Sequence, residues 1–258
     1  MGDRRIRVVG HRGAAALAPE NTLASLERGA RDGADEVELD IQRTGDGVPV
    51  LMHDETLDRT TSGRGLLRER TWAEVSSVDA GTAFAPEFSG ERVPSLGGVC
   101  AWAKRASVGL SIELKQPWPG EGKPSDDGLA AAAVEELERS GLVGRVILHS
   151  SDHPTIAQVR MLLPAARTAL SYNGPNLVDP LAVARTVPGI VAIHLRWLWI
   201  SRALCRAAHG EGLVVHAFGV PEPLDRETVL RLVDFGVDSL SANDPGALVR
   251  MLAAEGLR

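Results

Sequence analysis

The sequence predicts an α/β protein, a (β/α)8 barrel. Short apolar strands and helical stretches alternate along the 258 residues, which implies a parallel sheet. Eight such units in this length favour a closed barrel over an open doubly wound sheet. Residues 1–258 read as a single domain, with an excursion at about residues 54–94.

The first strand is Ile6 to Gly10, and a helix follows over Thr22 to Gly33. Leu23, Leu26 and Ala30 give that helix its period, and Gly33 stops it. Asp35 to Ile41 alternates strictly: Val37, Leu39 and Ile41 point one way, Glu36, Glu38 and Asp40 the other. Thr44 to Gly47 is a turn of hairpin chemistry, and Val48 to Met52 returns as a strand that delivers His53. The hairpin return is an extension above the barrel mouth. Inside the excursion, Thr71 and Glu74 form a capping box for a short helix near 71–77. A helix over Ser95 to Arg105 restores regularity. Strands follow at 109–114, 145–150, 167–171, 190–195, 213–218 and 237–241. Helices at about 126–140, 153–162, 177–186, 201–211, 224–235 and 245–255 separate and close them.

The net charge of −6 and the absence of a long basic run argue against a nucleic-acid partner. No apolar run reaches the roughly 18 residues of a membrane span, so no stable membrane insertion is expected. The first six residues lack the apolar core of a signal peptide, and Ile6 breaks the myristoylation pattern. A cytoplasmic location follows as an expectation. Cys100 and Cys205 sit in apolar helical contexts and read as small core residues.

Working residues of such barrels lie at the C-terminal ends of strands. There the sequence has His11 and Arg12, then Glu38 and Asp40, then His53, then Glu113 and Lys115, then His149 and Ser150. Glu38 and Asp40 share a strand face, as do Glu113 and Lys115. Three carboxylates from two strands repel one another unless a divalent cation lies among them, and oxygen ligands suit Mg²⁺ or Ca²⁺. His11 and His53 are candidates for proton transfer. Arg12 offers a planar fork for a phosphate, and Lys115 a point charge. Together these are the parts needed for displacement at a phosphodiester phosphorus.

These residues carry a resemblance. His11-Arg12-Gly13, Pro19-Glu20-Asn21-Thr22, Glu38-Leu39-Asp40, Asp46-Gly47-Val48-Pro49-Val50, His53-Asp54, Arg59-Thr60-Thr61 and Glu113-Leu114-Lys115 occur in the order and spacing of the glycerophosphodiester phosphodiesterase family. The match is specific over residues 8–115 and weaker beyond. The resemblance implies a (β/α)8 (TIM) barrel with a small insertion after the hairpin that follows strand two. It implies metal-dependent hydrolysis of glycerophosphodiesters to glycerol 3-phosphate and an alcohol. Carried over by motif, His11 and His53 are the acid–base pair, and Glu38, Asp40 and Glu113 the metal ligands. Arg12 and Lys115 hold the phosphate. Glu20 supports the mouth, reaching either the ion or Arg12.

The second half departs from the family pattern. Ser150-Ser151 stands where a Ser-Phe pair is usual, Phe218-Gly219-Val220-Pro221 where the pattern is W-T-V-N, and Ala242-Asn243 where it is T-D. Phe218 and Trp197 are candidate substrate contacts. Trp197, Trp199 and Trp118 motivate a second reading, a lysophospholipase D acting on lysophospholipids through the same site. His149, His194 and His216 read as hydrogen-bonded fillers or substrate contacts, and His153 and His209 as surface or cap residues. A third reading is a barrel that binds a phosphoester without turnover.

Overall fold

The computed structural model describes residues 5–116, 128–174 and 179–258. Eight parallel strands close on themselves: β1 (Arg7–Gly10), β2 (Glu36–Arg43), β4 (Gly109–Leu114), β5 (Val146–Ser150), β6 (Arg167–Tyr172), β7 (Ile190–Arg196), β8 (Val214–Phe218) and β9 (Ser239–Ala242). Closure comes from β1, which pairs with both β2 and β9. The ninth strand, β3 (Pro49–Leu51), pairs antiparallel with the end of β2 and stands outside the barrel wall. This is the (β/α)8 architecture the alternation predicts.

Helices α1 (Leu23–Arg31), α3 (Leu96–Ala103), α4 (Leu129–Ser140), α5 (His153–Leu162), α6 (Pro180–Ala184), α7 (Arg202–Gly210), α8 (Arg226–Phe235) and α9 (Pro245–Ala254) cover the outside. Their starts are chemically marked. Thr22, Ser95, Asp152, Asp179, Ser201, Asp225 and Asp244 each accept a hydrogen bond from a first-turn N–H. The alternating faces then divide the protein. Val37, Leu39 and Ile41 join Leu110, Ile112 and Leu114 in one apolar layer between strands and helices. Ile193, Leu195, Val215 and Leu240 anchor a second layer across the barrel.

Between β3 and α3 the chain builds a small core of its own from Met52, Leu57, Leu67, Val75, Ala80 and Val93. The capping box of Thr71 and Glu74 is present on α2 (Trp72–Val75). Several boundaries differ by a residue or more from those the sequence predicts, and three have a clear local cause. The last strand starts at Ser239, because Gly236 and Val237 are used in closing α8 onto the Leu232 carbonyl. Helix α4 starts at Leu129 after Gly128, whose positive φ of 79° turns the chain into it. Helix α6 is confined to Pro180–Ala184, started by the Asp179 cap and a first-position proline. Both cysteines are buried. Trp118 lies outside the described residues.

Inside the barrel, an apolar plug of Ile147, Ala169 and Ala192 occupies the strand positions just below His149, Ser171 and His194. Toward the mouth the fill becomes polar. That change positions the site.

Candidate active site

The loop after β1 is held in a tight form by its own backbone. Arg12 and Asn21 both adopt positive φ, 48° and 58°, which is strained for side chains with a Cβ. Hydrogen bonds compensate. The Arg12 N–H donates to Glu38 Oε2 at 2.8 Å, and its carbonyl accepts from Asn21 N and from Ser25 Oγ. Gly13, at φ 88°, lies so close to α1 that a Cβ there would come within 2.4 Å of the Ser25 backbone. The requirement for glycine is therefore a close approach as well as a turn.

This folding brings the predicted residues together. Oxygens of Glu38, Asp40 and Glu113 lie within 4.8 Å of one another. Lys115 Nζ reaches Glu113 Oε2 at 2.8 Å and Asp40 Oδ1 at 3.2 Å. Arg12 Nε is 3.2 Å from Asp40 Oδ2. Asn21 donates to Asp40 Oδ2 at 2.9 Å and accepts from the Asp40 N–H at 3.0 Å. Burial opposes charge on Asp40, but Lys115 and then Arg12 outweigh it and hold the carboxyl well below the usual range. Glu38 is pushed the other way, by burial and then by its carboxylate neighbours Asp40 and Glu113. Burial likewise raises Glu113. Burial disfavours the Lys115 ammonium, yet Asp40 and Glu113 leave it raised to about 12. Glu113 Oε1 is buried with no hydrogen-bond partner. An all-oxygen cluster with a partnerless buried oxygen fits a hard divalent cation.

The two histidines are held alike. His11 Nδ1 lies 2.6 Å from Asn243 Oδ1, and His53 Nδ1 lies 2.7 Å from Asp54 Oδ1. Both partners are acceptors, so Nδ1 carries the hydrogen and Nε2 is left for chemistry. Burial, and then the Arg12 charge, lower the His11 pKa. Arg59 locks the His53 side by bonding both Asp54 and Glu20. Gln42 donates to the carbonyls of Met52, His53 and Asp54 at 2.6 to 3.1 Å and so fixes the turn that carries His53.

Glu20 resolves toward Arg12, at 2.7 Å, and is not part of the carboxylate cluster. Phe218 lines a recess of about 40 Å³ together with His11, Glu38 and Glu113. Trp197 does not line it. Its ring packs on the outer apolar layer and lies under Arg231 of α8, 5.8 Å away, because the chain turns outward where β7 ends. His209 bonds Asp238 on the surface as a helix residue should. His153 departs from the surface reading: it is half-buried against Tyr172 and bonds the Ser171 carbonyl.

Asn243, Gln42, Asp54 and Arg59 gain structural roles that the residue reading did not assign. Gln42 had a signal, since it continues the Glu38, Asp40 face two residues on. Asn243 had none beyond its departure from the T-D pattern.

His149, His194 and His216 form a row across the recess, with successive ring centroids 4.5 and 4.6 Å apart. Burial, then His216 and Lys115, bring His149 down to about 3, and burial lowers the other two well below the ordinary value. Each is neutral in the fold but titrates near 6.5 when unfolded, so the unfolded chain binds more protons below that pH. Stability present above pH 6.5 is therefore lost as pH falls toward 3. For His149 the loss at pH 5 is on the order of 2 kcal/mol. Urea unfolding at pH 7.5 and pH 5 should show a smaller acid loss in His149→Phe than in wild type. Equal losses would refute the assignment.

The comparisons with known proteins bear on this geometry. The family model described as the glycerophosphoryl diester phosphodiesterase family matches residues 11–247. The chain belongs to that family. Membership places it among the phosphoric diester hydrolases. A glycerophosphodiester phosphodiesterase from Caldanaerobacter subterraneus subsp. tengcongensis is 31% identical over 249 residues, covering 96% of this chain and 98% of the relative. A solved phosphodiesterase from Oleispira antarctica, in complex with the product sn-glycerol-3-phosphate, superposes with a TM-score of 0.84 at 27% identity, covering 96% of each chain. A protein described as a glycerophosphoryl diester phosphodiesterase from Silicibacter pomeroyi superposes at 0.85 with 27% identity, covering 98% of this chain and 95% of the other. Among the described residues of this family member, no helix is long and apolar enough to cross a membrane.

Proposed function

We propose that the chain hydrolyses glycerophosphodiesters to glycerol 3-phosphate and an alcohol, in a metal-dependent reaction. The observation that carries this is the convergence of Glu38, Asp40 and Glu113 beside Arg12, Lys115, His11 and His53 at one barrel mouth. Glu38, Asp40 and Glu113 would hold Mg²⁺ or Ca²⁺. A divalent cation bound there neutralises charge on the phosphoryl oxygens. Arg12 and Lys115 orient the phosphate. His11, kept neutral by burial, takes through Nε2 the proton of the attacking group, which is either water or the substrate's own hydroxyl; in the second case water then opens the cyclic phosphate. His53, oriented by Asp54, protonates the departing alkoxide. Glu20 braces Arg12 and Arg59 rather than touching the cation. We take residues 1–258 as one domain with 54–94 as its insertion, acting in the cytoplasm on a small-molecule substrate.

The test is a Mg²⁺- or Ca²⁺-supplemented screen of glycerophosphodiesters that detects released glycerol 3-phosphate. Release from glycerophosphocholine is expected, at a higher rate than turnover of lysophosphatidylcholine. The reverse order would favour the lysophospholipase D reading, from which Trp197 is already withdrawn by its packing. Binding with no release of product from any diester would favour a non-catalytic barrel.

A further inference from the structure

The wall of the site opposite the carboxylates has an unusual composition. Strand interiors of such barrels are commonly filled by branched apolar side chains. Here β5, β7 and β8 instead present His149, His194 and His216, with Ser171 and Ser241 between and beside them. All five are at least 94% buried. Two of the imidazoles are anchored by serines: His149 Nδ1 to Ser171 Oγ at 2.9 Å, and His216 Nδ1 to Ser239 Oγ at 2.8 Å.

His149 is left incomplete. Its Nε2 is buried and has no hydrogen-bond partner, although the residue lines the recess shared with His11, Glu38 and Glu113. A native buried polar atom without a partner points to a group that arrives later. Glu113, its register neighbour on β4, carries a second partnerless polar atom on this cavity, Oε1. The Ser171 hydroxyl can donate or accept, so His149 Nε2 can do either as well. That matches a hydroxyl, which has the same duality.

The recess excludes other occupants. At about 40 Å³ it is small for an acyl chain, and nine of its ten lining residues carry a polar side chain. Its carboxylates, Glu38 and Glu113, belong to the acidic cluster and leave none for a quaternary ammonium.

Resting on the activity proposed above, which itself requires a place for the glycerol moiety beside the acidic cluster, we infer that His149 is a specificity residue hydrogen-bonding a glycerol hydroxyl of the substrate. The phosphate then lies between the recess and His53. The alcohol is directed to the other side, toward the cavity of about 130 Å³ lined by Pro19, Glu20, Arg59, Thr60 and Phe84.

Titration calorimetry with sn-glycerol 3-phosphate and with n-propyl phosphate, which lacks both hydroxyls, tests this in the presence of Mg²⁺. A site built to pair a hydroxyl rejects the analogue without it, because its own polar groups are then stranded. Wild type is expected to prefer sn-glycerol 3-phosphate by roughly tenfold to a hundredfold. His149→Phe keeps the ring and removes both nitrogens, and should bring that ratio below about threefold; His149→Gln, which keeps a polar reach, should fall between. A wild-type ratio near one overturns the inference, as does a His149→Phe ratio equal to wild type. The wild-type ratio decides even if a variant does not fold. A protein that discriminates but hydrolyses no glycerophosphodiester refutes the proposed activity and not this subsite. One that hydrolyses without discriminating refutes the subsite alone.

Discussion

Alanine at His11 or at His53 is expected to lower kcat on a glycerophosphodiester by roughly 10²- to 10⁴-fold, the range that general acid–base catalysis supplies. Both rings are held through Nδ1 by a fixed acceptor, Asn243 for one and Asp54 for the other, which leaves both Nε2 atoms for the proposed proton transfers. The double variant should lose little more than the worse single one, because residues acting as a unit are not additive. The measurement is steady-state release of glycerol 3-phosphate, with thermal melting to confirm folding. Either single variant within threefold of wild type would remove that histidine from the mechanism. A substrate whose leaving alcohol has a low pKa should rescue His53→Ala more than His11→Ala. Equal rescue would contradict the division of labour between base and acid.

The second large effect concerns the cation. Chelation should abolish activity, and Mg²⁺ or Ca²⁺ should restore it. Full activity in excess chelator would refute the metal assignment. Thermal melting offers a reading independent of turnover. A ligand that binds only the folded state, at a hundred times its dissociation constant, stabilises by about 2.7 kcal/mol. A saturating cation should therefore raise the melting temperature of wild type. Glu113→Gln keeps the shape of Glu113 but makes it a poorer ligand, and the upward shift should largely vanish with the activity. A cation-dependent shift retained in Glu113→Gln would mean that the ion binds elsewhere. Lys115 already faces both Asp40 and Glu113, so Lys115→Met should disturb phosphate orientation and leave the shift in place.

Much of this site was legible along the chain because strands have a period of two. Glu38 and Asp40 alternate with Leu39 and Ile41, so their common face follows from pattern alone. The same rule held for Glu113 and Lys115. It would have extended to Gln42, whose amide fixes the His53 turn. The loop residues His11 and His53 were found by their place at strand ends. Trp197 shows the limit. An aromatic just after a strand reads as a mouth residue, but a short turn carried it outward under Arg231.

By itself the sequence determined the barrel and the family, and it singled out the three carboxylates and two histidines as candidates, because each depends on local alternation, helix caps and short motifs. Only the tertiary structure decided the rest. Asn243 meets His11 across 232 positions, since β1 and β9 close the barrel side by side. Glu20 pairs with Arg12 and Arg59 instead of joining the acidic cluster. Three histidines from separate strands stack into one neutral wall. These are encounters between distant segments, and their partners are set by how the closed sheet brings its inner faces together, which no local period records.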